Sequence, residues 1–203
     1  LPFDPRKETG LPHFSTVAFI SYWRGLQTEP DRAPPRERFD PGELRRLIPQ
    51  MIMLSTLDPE HRFRLTGGFL TALHGRELKS ASFHALFRPA HIDAVAAALI
   101  LARRREQPLV FTLAADWESP AREDDDLFQK ETLEMEICLC PLRNADGAVD
   151  RMVGLCQTLS PPPRRLTGRP GLYRLGAARL YAPGRQIRAA HLQLIAADGK
   201  RIA

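Results

Sequence analysis

Leu109, Phe111, Leu113, Ala115 and Trp117 fall on one side of a run of alternating side chains, and a second run, Glu131–Leu142, repeats the pattern. In that second run Leu133, Met135, Ile137 and Leu139 share one face, with Glu134, Glu136, Cys138 and Cys140 opposite. Period-two alternation sends successive side chains to opposite sides, so both runs read as half-buried strands. Arg151–Leu159 reads as a third strand. An acidic loop, Glu123–Asp126, separates the first two, and the turn Asn144-Ala145-Asp146-Gly147 separates the last two. Connections of this kind suit antiparallel neighbours.

Upstream, Met51–Leu57 and Arg62-Phe63-Arg64-Leu65-Thr66 read as strands joined into a hairpin by Asp58–His61. Phe69–His74 reads as a short helix ended by Gly75, and Glu77–Phe87 as further helical turns. Pro89 opens a longer helix whose Ile92, Val95, Ala96 and Leu99 form one apolar stripe. Arg103–Arg105 suit the negative end of its dipole. Two strands, a helical excursion and three strands argue an α+β fold, one five-stranded antiparallel sheet with helices on one face.

Before the sheet, residues 1–13 read as an irregular arm, and Ser15 or Thr16 is the expected cap of a helix reaching Leu26. Val17, Phe19, Ile20, Trp23 and Leu26 make its apolar side. Asp40-Pro41-Gly42-Glu43 starts a second helix with Leu44, Leu47 and Ile48 as its buried side and Pro49 as its stop. The expected organisation is an arm and helical cap over residues 1–48, a sheet domain over 49–160, and a C-terminal extension over 161–203 behind Pro161-Pro162-Pro163.

The chain has 203 residues, 43% hydrophobic and 26% charged, which excludes disorder throughout. Its most apolar window, Ile92–Ala102, falls short of the roughly 18 residues of a membrane helix. No secretory signal is read at the N-terminus, and three cysteines are too few and too odd in number for a disulfide framework, so a cytoplasmic setting is expected. Residues 161–203 hold nine Lys or Arg against the single acid Asp198, whereas residues 1–160 hold 20 basic and 23 acidic side chains. A basic tail on a mildly acidic body points to phosphate, nucleic acid or an acidic protein surface as partner. Gly-x-Ser-x-Gly, P-loop, His-Glu-x-x-His and Gly-x-Gly-x-x-Gly patterns do not occur, and no enzymatic activity is expected.

Several short elements occur in a telling order: Tyr22-Trp23-Arg24 with Leu26, Pro35-Arg36, Phe39-Asp40-Pro41, Leu47 and Pro49. Arg62-Phe63-Arg64-Leu65-Thr66-Gly67 and Gly75-Arg76-Glu77-Leu78 follow. With the strand order, they make residues 15–160 resemble a bacterial family of small stand-alone PAS proteins with an N-terminal helical extension. Gly68 and Lys79-Ser80-Ala81 depart from that pattern. The resemblance implies a sensory or protein-interaction module of regulatory type, expected as a homodimer with a signalling protein partner. It implies no particular cofactor.

The space between a PAS sheet and its helices is where such a domain holds a ligand. By pattern, Leu65, Phe69, Leu73, Phe83, Phe87 and Val95 point there, as do Leu99, Phe111, Leu113, Met135, Ile137 and Leu155. They line a small-molecule pocket or fill the space themselves, close packing being the default for interiors. Gln157 is a polar candidate for the same space. Phe19, Tyr22 and Trp23 are too aromatic for a helix surrounded by water and are the expected dimer or partner interface, while Arg164, Arg165 and Arg169 are the expected anion-binding group.

Cys138, Cys140 and Cys156 are weighed as a zinc or redox site against buried small hydrophobes, and the hydrophobe reading is favoured. His74, His84 and His91 fall where a PAS relative would ligate haem, but His74 at a helix end and His91 in a first turn read as structural or solvated. The Asn-Cys-Arg-Phe-Leu-Gln run of light-sensing relatives does not occur. An alternative function is nucleotide or nucleic-acid binding through the Arg-rich tail.

Overall fold

Helix α1 spans Phe14–Gly25 in the computed structural model, which describes residues 12–118, 132–160, 168–181, 192–197 and 200–201. Its cap is His13, whose Nδ1 accepts from the Ser15 amide at 3.2 Å, and not Ser15 or Thr16. The Thr16 hydroxyl is drawn away to Glu136 at 2.6 Å. Two 3₁₀ segments follow, Arg36–Arg38 and Pro41–Gln50. Asp40 caps the second as expected, accepting from the Gly42 amide at 2.7 Å. The segment is kinked at Leu44 (φ -114, ψ 31); Leu44 and Leu47 pack partly against the outer cluster, while Ile48 turns out to 44% exposure. The buried side expected for an α-helix therefore loses Ile48.

Strands β1 (Met51–Ser55) and β2 (Phe63–Thr66) form the expected hairpin. Helix α2 (Gly68–His74) ends on Gly75, left-handed at φ 62. Of residues 77–87 only His84–Leu86 is helical, as one 3₁₀ turn. Helix α3 (Pro89–Arg105) crosses the sheet, and β3 (Leu109–Glu118), β4 (Thr132–Arg143) and β5 (Val149–Thr158) complete its body. The order is β2-β1-β5-β4-β3, every neighbouring pair antiparallel.

The sheet does not stop at five strands. Strand β6 (Arg169–Pro170) pairs with the end of β3, and β7 (Arg174–Tyr181) pairs along β3. Beyond it lie β8 (Leu192–Ala197) and β9 (Lys200–Arg201). A free β3 edge would present unpaired backbone groups, and the residues after 160 cover it. Gly176 makes the join fit: it is the extra residue of a bulge opposite Thr112 and Leu113, and a Cβ there would meet the Thr112 carbonyl oxygen at 3.2 Å.

Both faces of the sheet are covered. On the inner face, Leu70 and Leu73 of α2 and Val95, Leu99 and Ala102 of α3 pack on Ile52, Phe111, Leu113, Met135 and Ile137. On the outer face, Phe19, Ile20 and Trp23 of α1 pack on Val110, Cys138, Cys140, Leu142 and Val153. Burying a large apolar side chain contributes about 1.5–3 kcal/mol, so α1 is held by its three anchors and not by helix propensity alone.

Candidate functional site

The inner face is aromatic. Phe83 stands 5.2 Å from Phe87 between ring centres and 6.3 Å from Phe111, and Phe63 closes on Phe83 at 5.7 Å. Such edge-on and tilted spacings are those of rings in contact. Leu73, Val95, Leu99, Leu113, Met135 and Ile137 share this cluster, and Phe69 packs against its margin. Leu65 does not reach it. The β1–β2 register shifts between Met53 and Leu54, which turns Leu65 to the other side at 46% exposure and leaves Phe63 inside. Leu155, opposite Cys138, likewise belongs to the outer cluster.

One ring in the cluster comes from beyond residue 160. Tyr173, fully buried, stands 6.0 Å from Phe87 and 5.7 Å from the His74 ring. Its backbone locks it in place, its amide donating to the Leu86 carbonyl at 2.8 Å and its carbonyl accepting from the Arg88 amide at 3.0 Å. Asp116 of β3 binds Arg88 at 3.0 Å and Arg174 at 2.9 Å, on either side of this contact. Residues 169–174 thus form a strap across the mouth of the inner face. Sequence pattern missed Tyr173 because nothing local marks it.

His74 is buried with its Nε2 2.9 Å from the Tyr173 hydroxyl. Desolvation, then Arg76 and Arg169, push its pKa down to about 4. It is a neutral core histidine. His84 stacks on His61 at 5.3 Å, burial lowering both pKa values. His91 is half-buried, and its pKa is lowered too, first by burial and then by Arg88 and Arg174. Among the described residues, no group of three or more His, Cys, Asp or Glu is placed to hold a metal ion. The cysteines are split by the sheet. Cys138 and Cys140 lie together under α1, Sγ to Sγ 3.9 Å, while Cys156, opposite Ile137, faces inward. Burial raises the thiol pKa of both Cys138 and Cys156, which keeps them protonated.

A polar cluster sits where α1 meets the outer face. Glu136 accepts from the His13 amide at 3.1 and 3.2 Å, from the Thr16 hydroxyl at 2.6 Å and from Gln157 Nε2 at 3.2 Å. Gln157 also donates to Thr16 at 2.8 Å, so it serves the cap and not the inner face. Burial raises the Glu136 pKa against these hydrogen bonds.

The expected interface residues are engaged inside the chain. Phe19 is fully buried, Trp23 is 2% exposed with its indole N–H on the Pro141 carbonyl at 2.8 Å, and the Tyr22 hydroxyl donates to the Asp40 carbonyl at 2.9 Å. Of the expected anion-binding group, Arg164 and Arg165 lie outside the described residues and Arg169 is exposed on β6. The acidic loop Glu123–Asp126 also lies outside them. No described helix is long and apolar enough to cross a membrane.

A family model described as PAS domain matches residues 11–157. No curated protein matches. Among solved structures, the light state of the blue-light photoreceptor Aureochrome1 LOV is 14% identical, covering 58% of this chain and 87% of that chain at a TM-score of 0.36. A fungal LOV domain photoreceptor is also 14% identical, over 70% and 91% of the two chains at 0.39. A sensory box sensor histidine kinase from Vibrio cholerae is 11% identical, over 59% and 90% at 0.37.

Proposed function

Because this chain belongs to the PAS domain family, we propose that it is a non-catalytic regulatory protein of bacterial signalling that acts by binding a protein partner. A small apolar ligand at the inner face modulates it, and the protein works in the cytoplasm as a homodimer. The observation that supports this reading is the Tyr173–His74 contact. It couples the inner face directly to the strands that extend the sheet beyond residue 160. A ligand that binds unequally to the strapped and unstrapped states shifts their populations, and the partner reads the shift. Arg174 and Arg179 of β7 are already engaged with Asp116 and Thr112, which favours a protein partner over nucleic acid for that strand.

The test is cross-linking in cells that carry the tagged full chain, with Tyr173→Ala alongside. Enrichment of a defined protein, at a level that changes when the strap is loosened, is the expected result. Recovery identical in the variant removes the strap from the reading. No protein enriched over a tagged control removes the reading itself.

A further inference from the structure

At the opposite end of α3 from the strap, the helix carries two faces. Val95, Leu99 and Ala102 are buried in the inner cluster. Ala96, Ile100, Arg103 and Arg104 recur at helical spacing on another side and line a groove of about 720 Å³. Its other walls are the β1–β2 connection, with Leu57, Pro59 and His61, and the β4–β5 turn at Gly147–Val149.

Two large apolar side chains stand uncovered in it, Leu57 at 71% exposure and Ile100 at 46%. The walls are tied together. The Thr56 hydroxyl donates to the Val149 carbonyl at 2.8 Å, Arg103 donates to the Thr56 carbonyl at 3.2 Å, and the His61 ring rests on His84. A partner therefore meets a formed surface and bears little ordering cost.

The lining brings Arg103 and Arg104 against Asp58 and Glu106. Glu106 is held by Arg32 at 2.9 Å and the Ala33 amide at 2.6 Å, so the two groove arginines face one uncompensated carboxylate and a net positive charge remains. Exposed Arg104 has no hydrogen-bond or ion-pair partner among the described residues, and Arg103 retains donors beyond the one on Thr56. The occupant must bring an apolar group for Leu57 and Ile100 and negative charge for the guanidinium groups. A lone charge pair in water contributes little, so an apolar anchor surrounded by several acids fits better than a single anion.

We propose that this groove docks an acidic peptide segment of a partner protein, one large apolar residue flanked by Asp or Glu. The proposal rests on the protein-partner reading and names the surface through which the partner binds.

The experiment selects from a random dodecapeptide display library on the folded full chain, then measures the enriched peptides against Arg104→Glu and Leu57→Asp. Both positions are exposed, and circular dichroism checks that the variants stay folded. The expected result is enrichment of acid-flanked Leu, Ile or Phe, affinity falling about tenfold or more in each variant, and weakening as salt rises. Enriched peptides without acids, or affinities unchanged in both variants, overturn the groove and leave the partner reading standing. No enrichment overturns the groove as a peptide site, and the cross-linking result then decides the partner reading separately.

Discussion

The Tyr173 hydroxyl lies 2.9 Å from His74 Nε2, and both residues are buried between α2 and the strap. Tyr173→Phe keeps the ring and strands the histidine nitrogen, a loss of about 1–3 kcal/mol. Tyr173→Ala also empties the space of the ring and should cost about 3–5 kcal/mol. Urea unfolding should rank the two in that order. Equal losses would mean that the hydroxyl contributes nothing to holding the strap.

The same pair sets a pH dependence. The His74 pKa falls to about 4 on folding, chiefly by desolvation, while an unfolded histidine titrates near 6.5. The unfolded ring binds the proton more readily. Its contribution, about 3 kcal/mol, is therefore complete above roughly pH 6.5 and is lost as pH falls towards 4. Glu136 acts with the opposite sign, because its raised pKa makes the folded state the better proton binder. His74→Gln isolates the histidine. Denaturant midpoints measured from pH 7 to pH 4 should fall less steeply in the variant than in the natural chain, and parallel curves would refute the assignment.

Where sidedness follows from alternation alone, the chain is legible before its structure. Phe111, Leu113, Met135 and Ile137 face inward as their spacing predicts, and Ile92, Val95 and Leu99 of the expected α3 stripe pack on the inner cluster, while Ala96 turns to the groove instead. Failures occur where one residue changes the phase. A register shift at Met53–Leu54 turns Leu65 outward. Cys156 and Leu155 needed the β4–β5 register, which no local pattern carries. Tyr173 depends on pairing across more than 80 residues of chain to Phe87, so no window contains the contact.

The aromatic helix α1 is predicted to be a structural cover. Removing residues 1–27 takes Phe19, Ile20 and Trp23 off the outer face and bares Val110, Cys138, Cys140, Leu142 and Val153. It also takes the Thr16 and His13 donors away from Glu136. Apolar exposure on that scale favours association, so the truncated chain should aggregate by light scattering. A well-behaved truncated protein of unchanged oligomeric state would show that the outer face needs no cover.

Two glycines separate backbone crowding from backbone freedom. Gly154, in the central strand β5, lies opposite Ile52 on β1 and Leu139 on β4. A Cβ there would overlap the Cys138 carbonyl oxygen and come within 3.0 Å of the Leu139 Cα. These are backbone atoms, so no side-chain rotation relieves the contact, and β4 must separate from β5. Gly154→Ala should therefore cost about 3 kcal/mol or more. Gly68, the first residue of α2, meets nothing within 4 Å of a built Cβ. Alanine at that position loses less conformational entropy on folding and should stabilise the chain by about 0.4–1 kcal/mol. Urea midpoints of the two variants should therefore move in opposite directions from the natural chain, and a Gly154→Ala midpoint near that of Gly68→Ala would contradict the β4–β5 register on which the division between inner and outer faces rests.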